Sequence, residues 1–154
     1  MPNYNWSTRQ TLSDIVIGMR VDRATSTLPQ TTVLAIFNVL GGRVALTGIL
    51  GEVTTQLGTP GNLSVESNPT TGTAAGLCAV VASATNEVGT LISISGVTAT
   101  AANMVLAGGV PLQLCPVALP IGTVDLRCSG SSTGAIKWSL WYVPIDDGAY
   151  VTAE

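Results

Sequence analysis

The chain has 154 residues, 46% of them hydrophobic, with six basic and nine acidic side chains, no histidine and a net charge of −3. Charged residues make up only 10%, against about 25% in ordinary soluble domains. The length suits one domain with a real core, the apolar content excludes a disordered chain, and six scattered cations exclude the basic cluster that nucleic-acid binding requires.

Met1–Ser13 reads as an N-terminal arm: Tyr4 and Trp6 stand among polar residues with no period. Its start, MPNYNWSTRQ, has no apolar signal core, so export by a signal peptide is not expected. Residues 14–154 read as one domain. Asp14 to Asp22 alternates, with Ile15, Ile17, Met19 and Val21 on one face, which predicts a strand. Arg23 to Gln30 is expected to be a loop ending in Leu28-Pro29. Thr32 to Leu40 and Arg43 to Leu57 are apolar β-rich runs split by Gly41-Gly42, a strong hairpin signal. Gly48 and Gly51 in the second run point to a bulge or a close backbone approach.

Asn62 to Ser67 is a short strand between two turns, Gly58–Gly61 and Asn68–Gly72. Thr73 to Ser83 favours extended backbone. Thr90 to Val97 is half-buried, with Ile92 and Ile94 opposite Leu91. Ala99 to Leu106 is expected to hold a short helical turn. Val110 to Leu119 is a strand limited by Pro111 and Pro116, with Pro120 just beyond. The longest charge-free run, Val88 to Val124, is broken by Gly, Pro, Ser and Thr and does not match a membrane helix.

Ile121 to Gly148 reads as a hairpin, IGTVDLRCS and AIKWSLWYVP joined by GSSTG. Pairing Ser129 with Ala135 sets Cys128 beside Ile136, Leu126 beside Trp138 and Val124 beside Leu140, so the apolar faces coincide. Arg127 then faces Lys137, with Asp125 diagonal to relieve the repulsion. Trp138 and Leu126 are expected in the core. Trp141 falls on the outer face, where an indole suits an interface. Tyr150 to Glu154 is a tail. Short strands with regular turn signals predict an all-β sandwich or barrel.

The residues offer little chemistry. Without histidine there is no Ser–His or Cys–His pair and no histidine metal site. Cys78, Cys115 and Cys128 lack metal spacing and read as small buried thiols on strands, as in a reducing cytoplasm. Asp146-Asp147-Gly148 lacks the further oxygens of a calcium loop and reads as a solvated turn. Neither Gly-Gly pair opens a phosphate loop. No cofactor and no catalytic residue is expected. A glycosidase-like enzyme would need two carboxylates across a cleft, and no pair stands out.

The ordered segments TLPQT (Thr27–Thr31), GGRVALTGILGEVTT (Gly41–Thr55), NPTTGTA (Asn68–Ala74), LCAV (Leu77–Val80) and GTVDLRCSGSSTGAIKWSLWYVPIDDGAYV (Gly122–Val151) resemble small structural proteins of tailed bacteriophages. The resemblance spans about residues 27 to 151, and K-W-x-L-W-Y-x-P-x-D-D-G is its most specific part. Within that group the chain is most similar to head decoration, or cement, proteins. The resemblance implies a jelly-roll-like antiparallel β-sandwich forming homotrimers on the major capsid protein lattice. It also implies a non-enzymatic virion component; the thiols add assembly in the host cytoplasm, and the charge and hydropathy add that no nucleic-acid or membrane partner is expected. Tyr4, Trp6 and Trp141 are the expected contacts between chains. The alternative is a phage tail or receptor-binding module.

Overall fold

The computed structural model describes residues 17–29, 33–58, 61–83, 85–128 and 133–154. The expected arm, with Tyr4 and Trp6, lies outside them. Among the described residues there is no helix. The strands are β1 (Met19–Thr27), β2 (Val33–Leu40), β3 (Val44–Thr55), β4 (Asn62–Pro69), β5 (Ala75–Gly76) and β6 (Val81–Ala82). They continue as β7 (Leu91–Ser93), β8 (Asn103–Val105), β9 (Val117–Leu119), β10 (Gly122–Cys128), β11 (Ala135–Pro144) and β12 (Tyr150–Ala153).

Two antiparallel sheets pack into a sandwich. One has the order β1-β11-β3-β7-β8, with β9 also on β3; the other has β12-β2-β10-β4-β5, with β6 also on β4. The pairs β1·β11, β2·β10, β3·β7 and β4·β5 are nested, as if one long hairpin had been folded double. The pairs β11·β3 and β10·β4 then join the doubled halves within each sheet. This nesting is the strand order of a jelly roll.

Two expected hairpins are corrected by it. In a doubled hairpin, strands that follow one another along either long arm, such as β2 and β3 or β10 and β11, lie in opposite sheets. β10 pairs with β2 and β4, whereas β11 pairs with β1 and β3. Leu126 therefore sits beside Val65 and Leu34, and Trp138 beside Gly51 and Arg23. The Gly41-Gly42 turn likewise carries the chain from β2 in one sheet to β3 in the other.

The predicted faces nevertheless hold. Val124, Leu126 and Cys128 are buried, and so are Ile136, Trp138, Leu140 and Tyr142. They meet in the core between the sheets, with Phe37, Ile36, Leu46, Ile49 and Ile92. The feared Arg127–Lys137 clash does not arise. Arg127 pairs with Glu66 at 3.1 Å on one sheet, and Lys137 with Glu52 at 2.8 Å on the other. Asp125 is buried on the β10 sheet, where the Asn68 amide donates to it at 3.0 Å.

Other expectations shift. The first strand runs to Thr27, past the expected loop start. Asn103–Val105 is a strand rather than a helical turn, because it completes the sheet edge against β7. Only Val117–Leu119 of the Pro-limited segment is a strand. The expected tail forms β12 against β2.

The two glycines of β3 lie on opposite faces of the sheet. The register with β11 shifts between Trp141 and Tyr142, leaving Thr47 as an extra residue and turning Gly48 to the outer face. Gly51 faces the core, where the Trp138 ring lies over it.

Candidate contact surfaces

Trp141 is half-buried on the outer face of the β1-β11-β3 sheet. Its cross-strand partners are Gly48 on β3 and Arg20 on β1. Gly48 leaves room beneath the indole: a Cβ there would lie 3.6 Å from the ring. From the other side the Arg20 guanidinium stands 5.5 Å from the ring centroid, a cation–π contact. The aromatic platform is thus seated on a glycine and flanked by a fixed cation.

Polar partners hold that cation. Arg20 Nε donates to Asp22 Oδ1 at 2.7 Å, and Ser139 Oγ donates to the same oxygen at 2.6 Å. The Ser139 hydroxyl bond holds the Asp22 carboxyl below its ordinary range; burial opposes this, and Arg20 reinforces it. Glu52 is taken by Lys137. Between these groups lies a hollow of about 270 Å³, lined by Arg20, Leu50, Glu52, Lys137, Ser139 and Trp141. A ring edge ringed by fixed charges is suited to contact, where aromatic and arginine side chains contribute most of the binding energy.

A second surface lies at the end of the sandwich where the β2–β3 and β11–β12 turns meet. The Asp146 carboxylate is not merely solvated. Its Oδ2 accepts from the Arg43 backbone N–H at 2.7 Å and Nε at 2.9 Å, and its Oδ1 accepts from Nη2 at 2.7 Å. The Arg43 side chain, followed by its backbone N–H, holds the Asp146 carboxyl down at about 2. Asp146 therefore ties the two turns together. Beside the pair lies a hollow of about 440 Å³ bordered by Thr70, Thr71, Pro120 and Ile121. Ile121 and Ile145 are both exposed.

Of the expected contact residues, the structure places Trp141 on the outer face, and Tyr4 and Trp6 lie outside the described residues. Arg20 was not anticipated as a partner of the ring, although the glycine at position 48 signalled close approach. The cysteine expectation is partly corrected. Cys78 and Cys128 are buried, and burial raises both thiols, Cys128 to about 11. Cys115 is exposed, and only Cys128 lies on a strand. Among the described residues no three His, Cys, Asp or Glu side chains are grouped to hold a metal ion. No family model, curated protein or solved structure matches the chain.

Proposed function

We propose that the chain is a virion structural protein of a tailed bacteriophage, a head decoration protein that binds the outer surface of the capsid as a trimer and reinforces it. Catalysis has no part in this reading; function resides in contact. The resemblance over residues 27–151 supports it, as does the jelly-roll strand order. The observation that carries it is Trp141, an outward indole braced by Gly48 and Arg20 on a molecule otherwise poor in surface charge. Apolar surface buried at such a contact contributes about 25 cal/mol per Å² before the costs of association. A braced ring also loses little side-chain freedom on docking.

Negative-stain microscopy of virions carrying a tagged copy tests the location. Label over the head is expected; label confined to the tail would overturn the reading. Trp141→Ala tests the surface. Loss of a central aromatic costs at least about 2 kcal/mol, roughly thirtyfold in affinity for the shell. The far-UV circular dichroism should stay unchanged. Wild-type shell occupancy together with wild-type oligomer mass would refute the role of Trp141. The hollow beside Trp141, with Ser139, Glu52 and Lys137 on its walls, favours a second reading as a receptor-binding module. A glycan array would detect a sugar held there.

A further inference from the structure

Charge is distributed very unevenly along this fold. Between Glu66 and Asp125 the only charged residue is Glu87. That stretch builds β5 to β9, the short strands that close one side of the sandwich at the margins of both sheets. The opposite side, where β1 and β12 lie, carries Arg20, Asp22, Arg23 and Glu154, and Arg23 Nε donates across to the Glu154 carbonyl at 2.8 Å. The domain therefore has a charged flank and an almost uncharged one.

The uncharged flank also exposes apolar side chains. Leu114 is 77% exposed, Val80 59% and Val97 45%. They form one neighbourhood. The Leu114 N–H donates to the Ser95 carbonyl at 3.1 Å, and the Ala79 N–H donates to the Thr100 carbonyl at 3.0 Å. Ser93 Oγ donates to the Pro111 carbonyl at 2.7 Å and draws in Leu112, itself exposed. The margins here are the short strands β6 and β8, and an Ala79–Ala101 bridge joins the segments just before them.

We infer that this β5–β9 flank is the surface through which copies of the chain associate with one another, leaving the Trp141 face free for another partner. Charge decides the occupant. Each copy carries −3, so two copies repel one another weakly overall. On this flank two copies meet with almost no charge to oppose and no ion pair to desolvate. A polyanion or a strongly charged protein would find almost nothing there to pair with. Depletion of charge with exposed Leu and Val is also the composition of a buried interface centre. The assignment rests on the self-association within the proposed function and is independent of the shell.

Leu114→Asp in the intact chain, examined by sedimentation equilibrium, tests it. The wild type should sediment as a multiple of 15.7 kDa. Leu114→Asp should sediment as a single chain, with association weakened at least a hundredfold, and Leu112→Asp should do the same. Val143→Asp, an equal change on the Trp141 face, should keep the wild-type mass. The wild type alone supplies a further measurement: labelling of the exposed Cys115, next to Leu114, should slow at least tenfold as protein concentration rises through assembly. A wild type that stays monomeric refutes self-association. Leu114→Asp and Leu112→Asp chains that assemble normally, or a Cys115 rate independent of concentration in an assembling wild type, refute this flank as its site. Loss of shell binding by Leu114→Asp with wild-type mass would assign the flank to the shell instead.

Discussion

Replacing Gly51 by alanine should destabilise the fold from a single methyl group. A Cβ at position 51 would lie 2.8, 2.9 and 3.0 Å from three carbons of the Trp138 ring. Carbon atoms in good contact stand about 3.5–4.0 Å apart. The ring cannot retreat easily, because it is 1% exposed and closed in by the core. Overpacking of this kind costs about 1–3 kcal/mol. Alanine recovers about 0.5–1 kcal/mol of the backbone freedom that glycine loses in a strand. The difference lies between about 0 and 2.5 kcal/mol, and the closeness of all three contacts puts the loss in the upper part of that range, at about 1–2 kcal/mol. At a denaturant slope of about 2 kcal/mol per M, the urea midpoint should fall by about 0.5–1 M with the slope unchanged. Tryptophan fluorescence at one fixed protein concentration would follow the transition. Gly48→Ala is the internal comparison: its Cβ would meet the Trp141 ring at 3.6 Å, an ordinary contact. That variant should match the wild type or exceed it by about 0.5 kcal/mol. Equal midpoints for Gly51→Ala and the wild type, or equal shifts in both variants, would refute the account of why β3 carries these glycines.

Acid should reveal the Arg43–Asp146 pair. The folded Asp146 carboxyl lies at about 2, below the ordinary 3.8. A depressed carboxyl contributes stability above its unfolded value and loses it as pH falls through its folded one. The wild-type melting temperature should therefore exceed that of Asp146→Asn above pH 4, and the two curves should converge toward pH 2. Parallel curves would show that the pair does not link the turns. Thiol labelling of native protein at low concentration should modify one cysteine of the three quickly, Cys115, since Cys78 and Cys128 are buried. Both others should react only on unfolding; rapid reaction at Cys128 would contradict its place between the sheets.

Much of this fold was legible in period-two alternation, and its failures share one cause. Alternation says which side chains face inward but not which strand lies alongside. Leu126 and Trp138 were correctly assigned to a core face. The same matching of faces was then satisfied by setting β10 and β11 side by side, although two apolar faces also match when laid against each other across a core. The Gly41-Gly42 turn misled in the same way. Of the two glycines only Gly41 has positive φ, at 74°, and the pair packs against the β11–β12 turn instead of closing a two-residue hairpin. The outward position of Trp141 was visible because neighbouring Leu140 and Tyr142 face the core. Its cation was not, because Arg20 lies 121 positions away and meets it only through the β1·β11 pairing. The charge-poor flank was visible as a run, Val88 to Val124, but its gathering on one side depends on topology.

The nested pairing has a consequence for how the protein is made. Met19 pairs with Tyr142, 123 positions later. At about 5–20 residues per second on a ribosome, β1 waits roughly 6–25 s for its partner. Throughout that interval an early strand has unpaired backbone edges, an opening for strands of other chains. The innermost pair, β4·β5, can close first, and the outer pairs wrap around it in turn. The order of synthesis and the order of closure therefore run in opposite directions for the first half of the chain. Misassembly is most dangerous where nascent chains are crowded on one message, and slower initiation should raise the yield of folded protein more than slower elongation.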